Sequence, residues 1–243
     1  MKSEVAQKIL EQTKQTYDDI AADFDKTRQY LWPGMSSFKQ YVKADDRVLD
    51  LGCGNGKLRL LFKDVNVDYL GVDNSSNQIE FAKSRSDFRV AHQKFVAAEV
   101  FQLPLADNSF NVVFCLAVLH HIPSTKLRLK TLTEIKRVLK PDGILIMSNW
   151  NRWQAQYLHY ITKHTALKII GQSELDFKDI FLPWMGGRAM RYYHAFTLGE
   201  IRGLIKKSGL KIDDNSLTYW GGKKASRFSY LKAANIVTIA KKC

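Results

Sequence analysis

The stretch Val48-Leu49-Asp50-Leu51-Gly52-Cys53-Gly54-Asn55-Gly56-Lys57 decides the fold, together with the later run Tyr69-Leu70-Gly71-Val72-Asp73. Each is an apolar run that ends in an acidic residue, and the first continues into a loop with three glycines. Apolar runs of this length predict buried strands, and the glycines predict a tight turn that opens a helix. The succession of strand, turn, helix and strand is that of a nucleotide-binding βαβ unit.

The spacing of the glycines and the positions of the acids indicate which nucleotide binds. A dinucleotide-binding loop reads Gly-x-Gly-x-x-Gly and offers a helix N-terminus to a pyrophosphate, whereas here the glycines are Gly52, Gly54 and Gly56. Asp50, just before the loop, would repel a phosphate but suits an ammonium or a sulfonium. S-adenosylmethionine carries both cations and no phosphate. Asp73 is placed to accept hydrogen bonds from ribose hydroxyls. The alternative is that both acids are structural, one as a helix cap and one as a strand end.

The composition predicts a globular protein with a polyanionic partner. The chain has 243 residues, of which 45% are hydrophobic, and this is enough to form a packed core. Its formal net charge of +13 suits the neutralisation of nucleic-acid phosphates. The alternative interpretation is that this charge only keeps the protein soluble. No apolar run reaches the ~20 residues of a membrane span, and the first residues are not those of a signal peptide. We therefore expect a cytoplasmic protein.

The cysteines and histidines do not predict a metal site. Cys53, Cys115 and Cys243 are far apart in sequence and lack the spacing of zinc ligands. His120 and His121 follow the predicted fourth strand, where they could serve as bases or as polar lining, or one of them could be structural. Adjacent rings rarely bind the same ion, so we predict no metal.

The rest of the chain continues the βα alternation, with a helical extension at its start and one insertion. Residues 1–43 are predicted as a helical lid that contains Arg28. Strands are predicted at about residues 48–51, 69–73, 95–98, 112–116, 144–150, 211–219 and 235–241, and helices at 78–85, 124–139 and 197–207. Residues 151–195 interrupt the alternation after the fifth strand. A long segment there, rich in aromatics and glycines, is where substrate specificity usually lies.

The segment between the last two predicted strands combines basic and aromatic side chains. Its cations are Lys223, Lys224, Arg227 and Lys232, and its rings are Trp220, Phe228 and Tyr230. Such a mixture suits a single-stranded nucleic-acid loop, whose bases stack on rings while its phosphates meet cations. A solvated hairpin is the alternative.

Taken together, these motifs resemble a class I S-adenosylmethionine-dependent methyltransferase. The generic motifs are the glycine loop, Asp73, Glu99, the His120-His121 pair and the Pro141-x-Gly143 turn. The specific motifs are Tyr17-x-x-Ile20-Ala21-x-x-Phe24-x-x-Thr27-Arg28-x-x-x-Trp32-Pro33, Gly54-Asn55-Gly56-Lys57, Ala117-Val118-Leu119-His120-His121-Ile122, Pro183-Trp184 and Arg191-Tyr192-Tyr193-His194-x-Phe196. They resemble the tRNA wobble-uridine methyltransferases that esterify 5-carboxymethyluridine, including the methyltransferase domain fused to AlkB-like tRNA hydroxylases.

The resemblance implies a Rossmann-like α/β fold in a single domain over residues 1–243. Its sheet is expected to be mostly parallel and seven-stranded, with an antiparallel last strand and helices on both faces. S-adenosylmethionine is the implied cofactor, the anticodon loop of tRNA the implied substrate, and a small zinc-binding activator subunit a partner of the eukaryotic members. The alternatives are a methyltransferase of a small molecule, such as a quinone precursor or a carboxylic acid, and a non-catalytic cofactor-binding subunit.

Two sets of residues are predicted to form the site. The acceptor side is predicted to contain Arg28, His120, His121, Arg191, Tyr193 and His194. The cofactor side is predicted to contain Asp50, Gly52, Cys53, Gly54, Asn55, Gly56, Asp73, Asn74, Glu99, Val100 and Leu116. An acceptor carboxylate is ionised at neutral pH, so the arginines are expected to position it, or a neighbouring phosphate, and no strong base is required.

Overall fold

The computed structural model describes residues 1–28, 30–85, 92–226, 229 and 231–243. Its strands are β1 (Asp46–Leu51), β2 (Val67–Asp73), β3 (His92–Ala97), β4 (Phe110–Leu116), β5 (Leu139–Trp150), β6 (Asp179–Trp184), β7 (Ala189–His194), β8 (Lys211–Thr218) and β9 (Asn235–Lys241). Its α-helices are α1 (Ser3–Asp19), α2 (Ala21–Thr27), α3 (Ser76–Ser84), α4 (Thr125–Val138), α5 (Leu158–Ile169) and α6 (Leu198–Ser208). Short 3-10 helices cover Met35–Tyr41, Lys57–Phe62, Leu119–His121, Ala155–Tyr157 and Met185–Gly187.

Seven strands form one sheet in the order β3-β2-β1-β4-β5-β9-β8. β1 pairs in parallel with β2 and β4, whereas β9 runs antiparallel to both of its neighbours. The central strands carry the apolar runs, and Val48, Leu49 and Val113 are fully buried. Burial on both faces is typical of a parallel sheet that helices cover on each side. The predicted fold class, with its antiparallel last strand, is confirmed.

Helix α4 begins as predicted and passes into β5 without a separate turn. Ser124 Oγ accepts a hydrogen bond from the N–H of Leu127 at 3.3 Å, which identifies Ser124 as the helix cap. The sequence Pro141-Asp142-Gly143 is predicted to end the helix, but the helix already ends at Val138 and β5 runs through this sequence. The register between β4 and β5 shifts at this end of the strands, so the expected turn becomes a local irregularity of the sheet.

The predicted lid consists of three helical pieces: α1, α2 and the 3-10 helix Met35–Tyr41. The described residues between the last two pieces are not helical, and Gln29 lies outside the described residues. Gly34 has a φ of 93°, and a Cβ built on it would lie 2.5 Å from the Cα of Gly222. The lid therefore meets the loop between β8 and β9 through two glycines, at a distance that leaves no room for a side chain.

The insertion after β5 folds as α5 followed by the antiparallel hairpin β6–β7, which is a two-stranded sheet of its own. It has a small apolar core that includes Trp150, Ile161 and Ile180. Asn151 and Phe196, at its two ends, form a β-bridge. The insertion thus leaves and rejoins the sheet at one point, the carboxyl end of β5.

The loop between β8 and β9 is described in part. Arg227, Phe228 and Tyr230 of the predicted basic and aromatic segment lie outside the described residues. Trp220 is 61% exposed, and Lys224 is also exposed. Across the described part of the chain, every helix is too short or too polar to cross a membrane.

Candidate active site

A cavity of about 470 Å³ lies at the carboxyl ends of the central strands, where ligands of doubly wound sheets bind. Its walls are the glycine loop, the ends of β2 and β4, the lid and the insertion. The predicted residues that line it are Arg28, Gly52, Cys53, Gly54, Asn55, Asp73, Asn74, Glu99, Val100, Leu116, His120, His121, Arg191 and Tyr193. Three predicted residues, Asp50, Gly56 and His194, are not among the described residues of the lining.

Asp73, at the end of β2, holds the glycine loop in place. Its Oδ2 accepts a hydrogen bond from the N–H of Gly54, and its Oδ1 accepts one from the N–H of Ser75, both at 2.9 Å. Burial raises the pKa of Asp73, and these two backbone bonds oppose the shift. A carboxylate has about four acceptor positions, so about two remain for groups in the cavity. This arrangement fits two hydroxyl donors on adjacent carbons, such as those of a ribose.

Glu99 and Asn74 form the adjoining wall. The side-chain nitrogen of Asn74 lies 3.3 Å from both carboxylate oxygens of Glu99. Val100, the next residue, is buried and adds an apolar surface to the lining. The wall beside Asp73 therefore offers polar groups and an apolar patch, as a sugar joined to a flat base requires.

Asp50 lies behind the glycine loop rather than in the cavity. Tyr69 of β2 donates a hydrogen bond to its Oδ2 at 2.5 Å. Burial raises the pKa of Asp50 to about 7, although the bond from Tyr69 and the charge of Lys57 oppose the shift. The expected direct contact with a ligand cation is thus not supported by this position. Gly56 also faces away, since a Cβ there would lie 2.9 Å from the ring of Phe95.

Asn55 fastens the lid to the glycine loop. Its side-chain nitrogen donates to Oδ1 of Asp25 at 2.8 Å and to the carbonyl of Arg28 at 3.2 Å. Asp25 also accepts a hydrogen bond from Arg85 at 2.9 Å. These bonds hold Arg28 at the rim of the cavity, where its guanidinium lies 5.8 Å from the centre of the Phe24 ring.

His121 is held as a neutral ring with a defined tautomer. Its Nδ1 lies 2.8 Å from the carbonyl oxygen of Tyr192, which can only accept, so Nδ1 carries the proton. Its Nε2 is then an acceptor, and the hydroxyl of Tyr17 donates to it at 2.9 Å. Burial, reinforced by the charge of Arg191, lowers the pKa of His121 to about 3. His121 is therefore uncharged near neutral pH and a weak base.

His120 is also neutral. The backbone N–H of Trp150 donates to its Nδ1 at 3.2 Å, which leaves the proton on Nε2. Its ring stacks on that of Tyr193, with centroids 5.1 Å apart and planes inclined by 12°. Burial, together with the neighbouring His121, lowers the pKa of His120 well below its usual value. His120 is therefore uncharged near neutral pH and can donate a hydrogen bond through Nε2.

Arg191 supplies a positive charge to the side of the cavity formed by the insertion. Its guanidinium carbon lies 5.6 Å from the centre of the Trp184 ring and 5.3 Å from that of Tyr193. Within the described residues its Nε has no hydrogen-bond partner. Burial raises the pKa of Tyr17, and the charge of Arg191 opposes the shift, so the two side chains are neighbours. A guanidinium held between rings with an unused donor suits an anionic ligand.

His194 lies outside the cavity, in a buried ion cluster formed by Arg128, Asp179, His194 and Glu200. Its Nδ1 lies 2.5 Å from Asp179 Oδ1, and its Nε2 lies 2.7 Å from Glu200 Oε1. Arg128, which is 1% exposed, reaches the same Asp179 oxygen at 3.3 Å. The prediction that His194 lines the pocket is wrong, because both ring nitrogens are occupied by carboxylates. The buried ion cluster instead fastens the hairpin to α4 and α6.

Nine lining residues belong to the quoted motifs but have no predicted role: Tyr17, Phe24, Trp32, Lys57, Ala117, Val118, Ile122, Pro183 and Trp184. Tyr17 carries a signal in the sequence, because Leu10, Thr13 and Tyr17 are three and four residues apart and share one face of α1. All three of these residues line the cavity. The helical spacing of the lid therefore indicates which face meets the ligand.

The cavity fits S-adenosylmethionine through the spare acceptor positions of Asp73 and the wall formed by Glu99 and Val100. S-adenosylmethionine would supply an electrophilic methyl group on its sulfonium. The residues of the chain then have to align the acceptor and exclude water. The lid and the hairpin are placed to do both, since they line the cavity from two sides.

The comparisons with known proteins identify a methyltransferase domain. Residues 42–190 match the family described as a methyltransferase domain. A putative methyltransferase of Encephalitozoon cuniculi is 30% identical over 220 residues, which cover 89% of this chain and 92% of that protein. A tRNA (carboxymethyluridine(34)-5-O)-methyltransferase of Schizosaccharomyces pombe is 25% identical, over 82% of this chain and 88% of that protein. The mouse protein of this name, ALKBH8, is 29% identical over 67% of this chain. The match covers only 23% of the length of the mouse protein.

A solved structure shows the same fold. The SAM-dependent methyltransferase of Methanosarcina mazei aligns with a TM-score of 0.69 at 24% identity, over 88% of this chain and 98% of that one. The resemblance to class I methyltransferases, with tRNA wobble-uridine enzymes among the relatives, is confirmed. The chain belongs to the methyltransferase-domain family, and it is an S-adenosylmethionine-dependent methyltransferase.

Proposed function

We propose that the protein esterifies the carboxylate of 5-carboxymethyluridine at the wobble position of tRNA. The observation that carries this proposal is a cationic side chain beside two neutral histidines. Arg191 supplies the charge, and neither His120 nor His121 takes up a proton near neutral pH. An acceptor that must lose a proton finds only weak bases in this pair, whereas a carboxylate is already ionised.

Arg28 and Arg191 are proposed to orient the acceptor. They line the cavity from different elements, Arg28 from the lid and Arg191 from the hairpin. A guanidinium can pair with both oxygens of a carboxylate or a phosphate. If both arginines held the carboxylate, its oxygens would be less nucleophilic. We therefore assign Arg191, beside the histidines, to the carboxylate and Arg28, at the rim, to a phosphate.

An RNA acceptor is supported by the surface beside the cavity. A second cavity of about 350 Å³ shares Trp32, Leu116, Trp220 and Asn235 with the first, and its lining includes Tyr219 and Lys224. Trp220 is exposed and Tyr219 is half-buried, while Lys224 forms an ion pair with Asp214 at 2.8 Å. Rings and a cation at one surface suit unpaired bases and their phosphates. The net charge of +13 favours the same class of partner, and the Schizosaccharomyces pombe relative is named for tRNA.

A small activator subunit is the second partner that we propose, following the family resemblance. β3 lies at the edge of the sheet and pairs with β2, and its Val96 is 37% exposed. The open side of an edge strand can accept a strand from another chain. Co-purification with candidate activator subunits, and transfer assays with and without them, test this part.

The central experiment is methyl transfer to tRNA from cells that lack this gene. The purified protein is incubated with S-adenosylmethionine and this tRNA, with and without an activator subunit, and nucleosides are analysed by mass spectrometry. We expect 5-carboxymethyluridine to be converted to its methyl ester. Transfer to small carboxylic acids alone would favour the small-molecule alternative. Binding of S-adenosylhomocysteine without transfer to any acceptor would favour the non-catalytic alternative.

A matched pair of variants tests the role of Arg191. Arg191→Gln should lower transfer to tRNA at least about 10-fold, the loss expected for one charge-assisted hydrogen bond, and leave cofactor affinity unchanged. Arg188→Gln is the control, because Arg188 belongs to the same hairpin but is exposed. Equal activity of the two variants would remove Arg191 from the proposal.

A further inference from the structure

Lys57 is a buried cation without a partner. It follows the glycine loop directly and is only 8% exposed. Within the described residues its Nζ has no hydrogen-bond partner and forms no ion pair. An ammonium removed from water at this depth is costly unless a partner replaces the lost hydration. Simple packing does not account for a lysine here, since an apolar residue of the same length would fill the space without that cost.

The surroundings direct this charge into the cavity. Lys57 lines the cavity together with Trp32 of the lid, and its Nζ lies 4.1 Å from the centre of the Trp32 ring. The face of a tryptophan is the most favourable ring surface for a cation, but it provides no hydrogen-bond acceptor. The charged groups that act on Lys57 are Arg28, from the lid, and Asp50, from β1. Asp50 accepts the hydrogen bond of Tyr69.

We propose that Lys57 is a carboxylate-binding residue of the active site, whose ammonium pairs with a carboxylate of the molecule bound in the cavity. Two molecules can supply this group. One is the amino-acid end of the cofactor, and the other is the carboxymethyl group of the acceptor. The second source rests on the proposed function, whereas the first requires only that the protein bind the cofactor.

The electrostatics agree with a site that a ligand completes. Burial and the charge of Arg28 lower the pKa of Lys57 to about 7, against the opposite effect of Asp50. In the free protein Lys57 therefore loses its proton as the pH rises above about 7. A bound carboxylate favours the charged form, so affinity for the carboxylate should fall as the pH rises through this range.

The first experiment measures cofactor affinity by calorimetry. S-adenosylhomocysteine carries the carboxylate, and 5′-methylthioadenosine has the same nucleoside and sulfur but lacks the amino-acid end. If the cofactor supplies the carboxylate, Lys57→Met should weaken binding of S-adenosylhomocysteine about 10- to 100-fold and leave 5′-methylthioadenosine unchanged. Equal weakening of both ligands would overturn the proposal, because it would show that Lys57 only supports the shape of the cavity.

The second experiment tests the acceptor as the source. Anticodon stem-loops with uridine or 5-carboxymethyluridine are bound to the protein saturated with S-adenosylhomocysteine. If the acceptor supplies the carboxylate, the wild type should prefer the carboxymethylated RNA and Lys57→Met should lose this preference. If Lys57→Met changes neither this preference nor the affinity for S-adenosylhomocysteine, the proposal is refuted. The proposed function would stand independently of that result, because it is supported by methylation of tRNA by the wild type.

Two controls separate the loss of the Lys57 charge from an effect of the substitution on folding. Lys63→Met removes the same charge from an exposed position just after the same 3-10 helix and should behave as the wild type. Thermal unfolding checks that Lys57→Met is folded. In the wild type, nuclear magnetic resonance of the Lys57 ammonium should show its pKa rise when the carboxylate-bearing ligand binds. No change on binding either ligand would also overturn the proposal, without any reliance on a variant.

Discussion

Asp73→Asn tests the link between the glycine loop and the cofactor most directly. The two carboxylate oxygens accept the N–H groups of Gly54 and Ser75, both at 2.9 Å. An asparagine keeps one oxygen and replaces the other with an amide group, which can only donate. One backbone N–H then faces a donor, whichever way the amide is turned. The substitution also removes the charge that we expect to receive the ribose hydroxyls.

The magnitude follows from the number of bonds that change. A hydrogen bond to a charged group contributes about 1.5–3 kcal/mol, so losing the equivalent of one ribose bond should weaken cofactor binding about 10- to 100-fold. The lost backbone bond should lower the free energy of unfolding of the ligand-free protein by about 1–3 kcal/mol. The two losses are separable, because the first appears only when the ligand is present.

Calorimetry with S-adenosylhomocysteine measures the first loss, and chemical denaturation of the free protein measures the second. Asp68→Asn is the matched control, since Asp68 belongs to the same strand but forms an exposed ion pair with Arg47. A folded Asp73→Asn variant that binds S-adenosylhomocysteine as tightly as the control would refute the ribose assignment. The bonds of Asp73 would then serve only the loop.

The remaining predictions concern stability. Gly222→Ala should cost at least about 1 kcal/mol, because Gly222 has a φ of 79° and its Cβ would lie 2.5 Å from the Cα of Gly34. Arg128→Met should lower the free energy of unfolding by about 3–5 kcal/mol, because Asp179 would keep a buried charge with one partner fewer. Burial opposes ionisation of Glu200, but its hydrogen bonds with His194 and Lys178 more than offset this and lower its pKa to about 2. Glu200→Gln should therefore lower the free energy of unfolding by its full amount above about pH 4.5. This difference from the wild type should disappear as the pH falls towards 2.

Denaturant titrations measure all three effects, each against a neighbouring control. Gly221→Ala introduces a methyl group into open space and should be nearly neutral. Lys126→Met removes an exposed cation from the start of the same helix as Arg128. Glu174→Gln is the control for Glu200→Gln, because it removes a carboxylate that takes no part in the ion pairs of the buried ion cluster. A Gly222→Ala variant as stable as its control, or an Arg128→Met loss below about 1 kcal/mol, would contradict the contacts described.

The central fold was predictable because its signals are local. The apolar runs that end at Asp50 and Asp73 identify two neighbouring parallel strands, and the glycine spacing places the ligand at their ends. The cap at Ser124 depends on one hydroxyl and the backbone next to it. These features need no information about distant parts of the chain, so one sequence is enough to infer them.

The error at His194 has a specific cause. Arg191, Tyr192, Tyr193 and His194 lie in strand β7, where neighbouring side chains point to opposite faces. Arg191 and Tyr193 therefore line the cavity, while His194 faces the buried ion cluster. The alternation of faces follows only once β7 is recognised as a strand. Because the sequence does not predict the hairpin, Arg191, Tyr193 and His194 are all assigned to the acceptor side of the site.

The partners of Arg128 could not be inferred from its own helix. The spacing of α4 places Arg128 on the buried face, with Leu132 and Ile135, but it does not identify the groups that neutralise the charge of a buried cation. Its partners, Asp179 and Tyr192, come from the hairpin. A contact between segments so distant in sequence leaves no periodic pattern, and only the folded arrangement reveals it.

The contact between Gly34 and Gly222 constrains two positions that are distant in sequence. A side chain gained at either position meets the backbone of the other, so a change at one cannot be compensated by a change at its partner. Both positions are constrained although neither glycine contributes a functional group to the reaction. Their joint retention among relatives would thus report a constraint on how two loops meet, and would not by itself mark a chemical role.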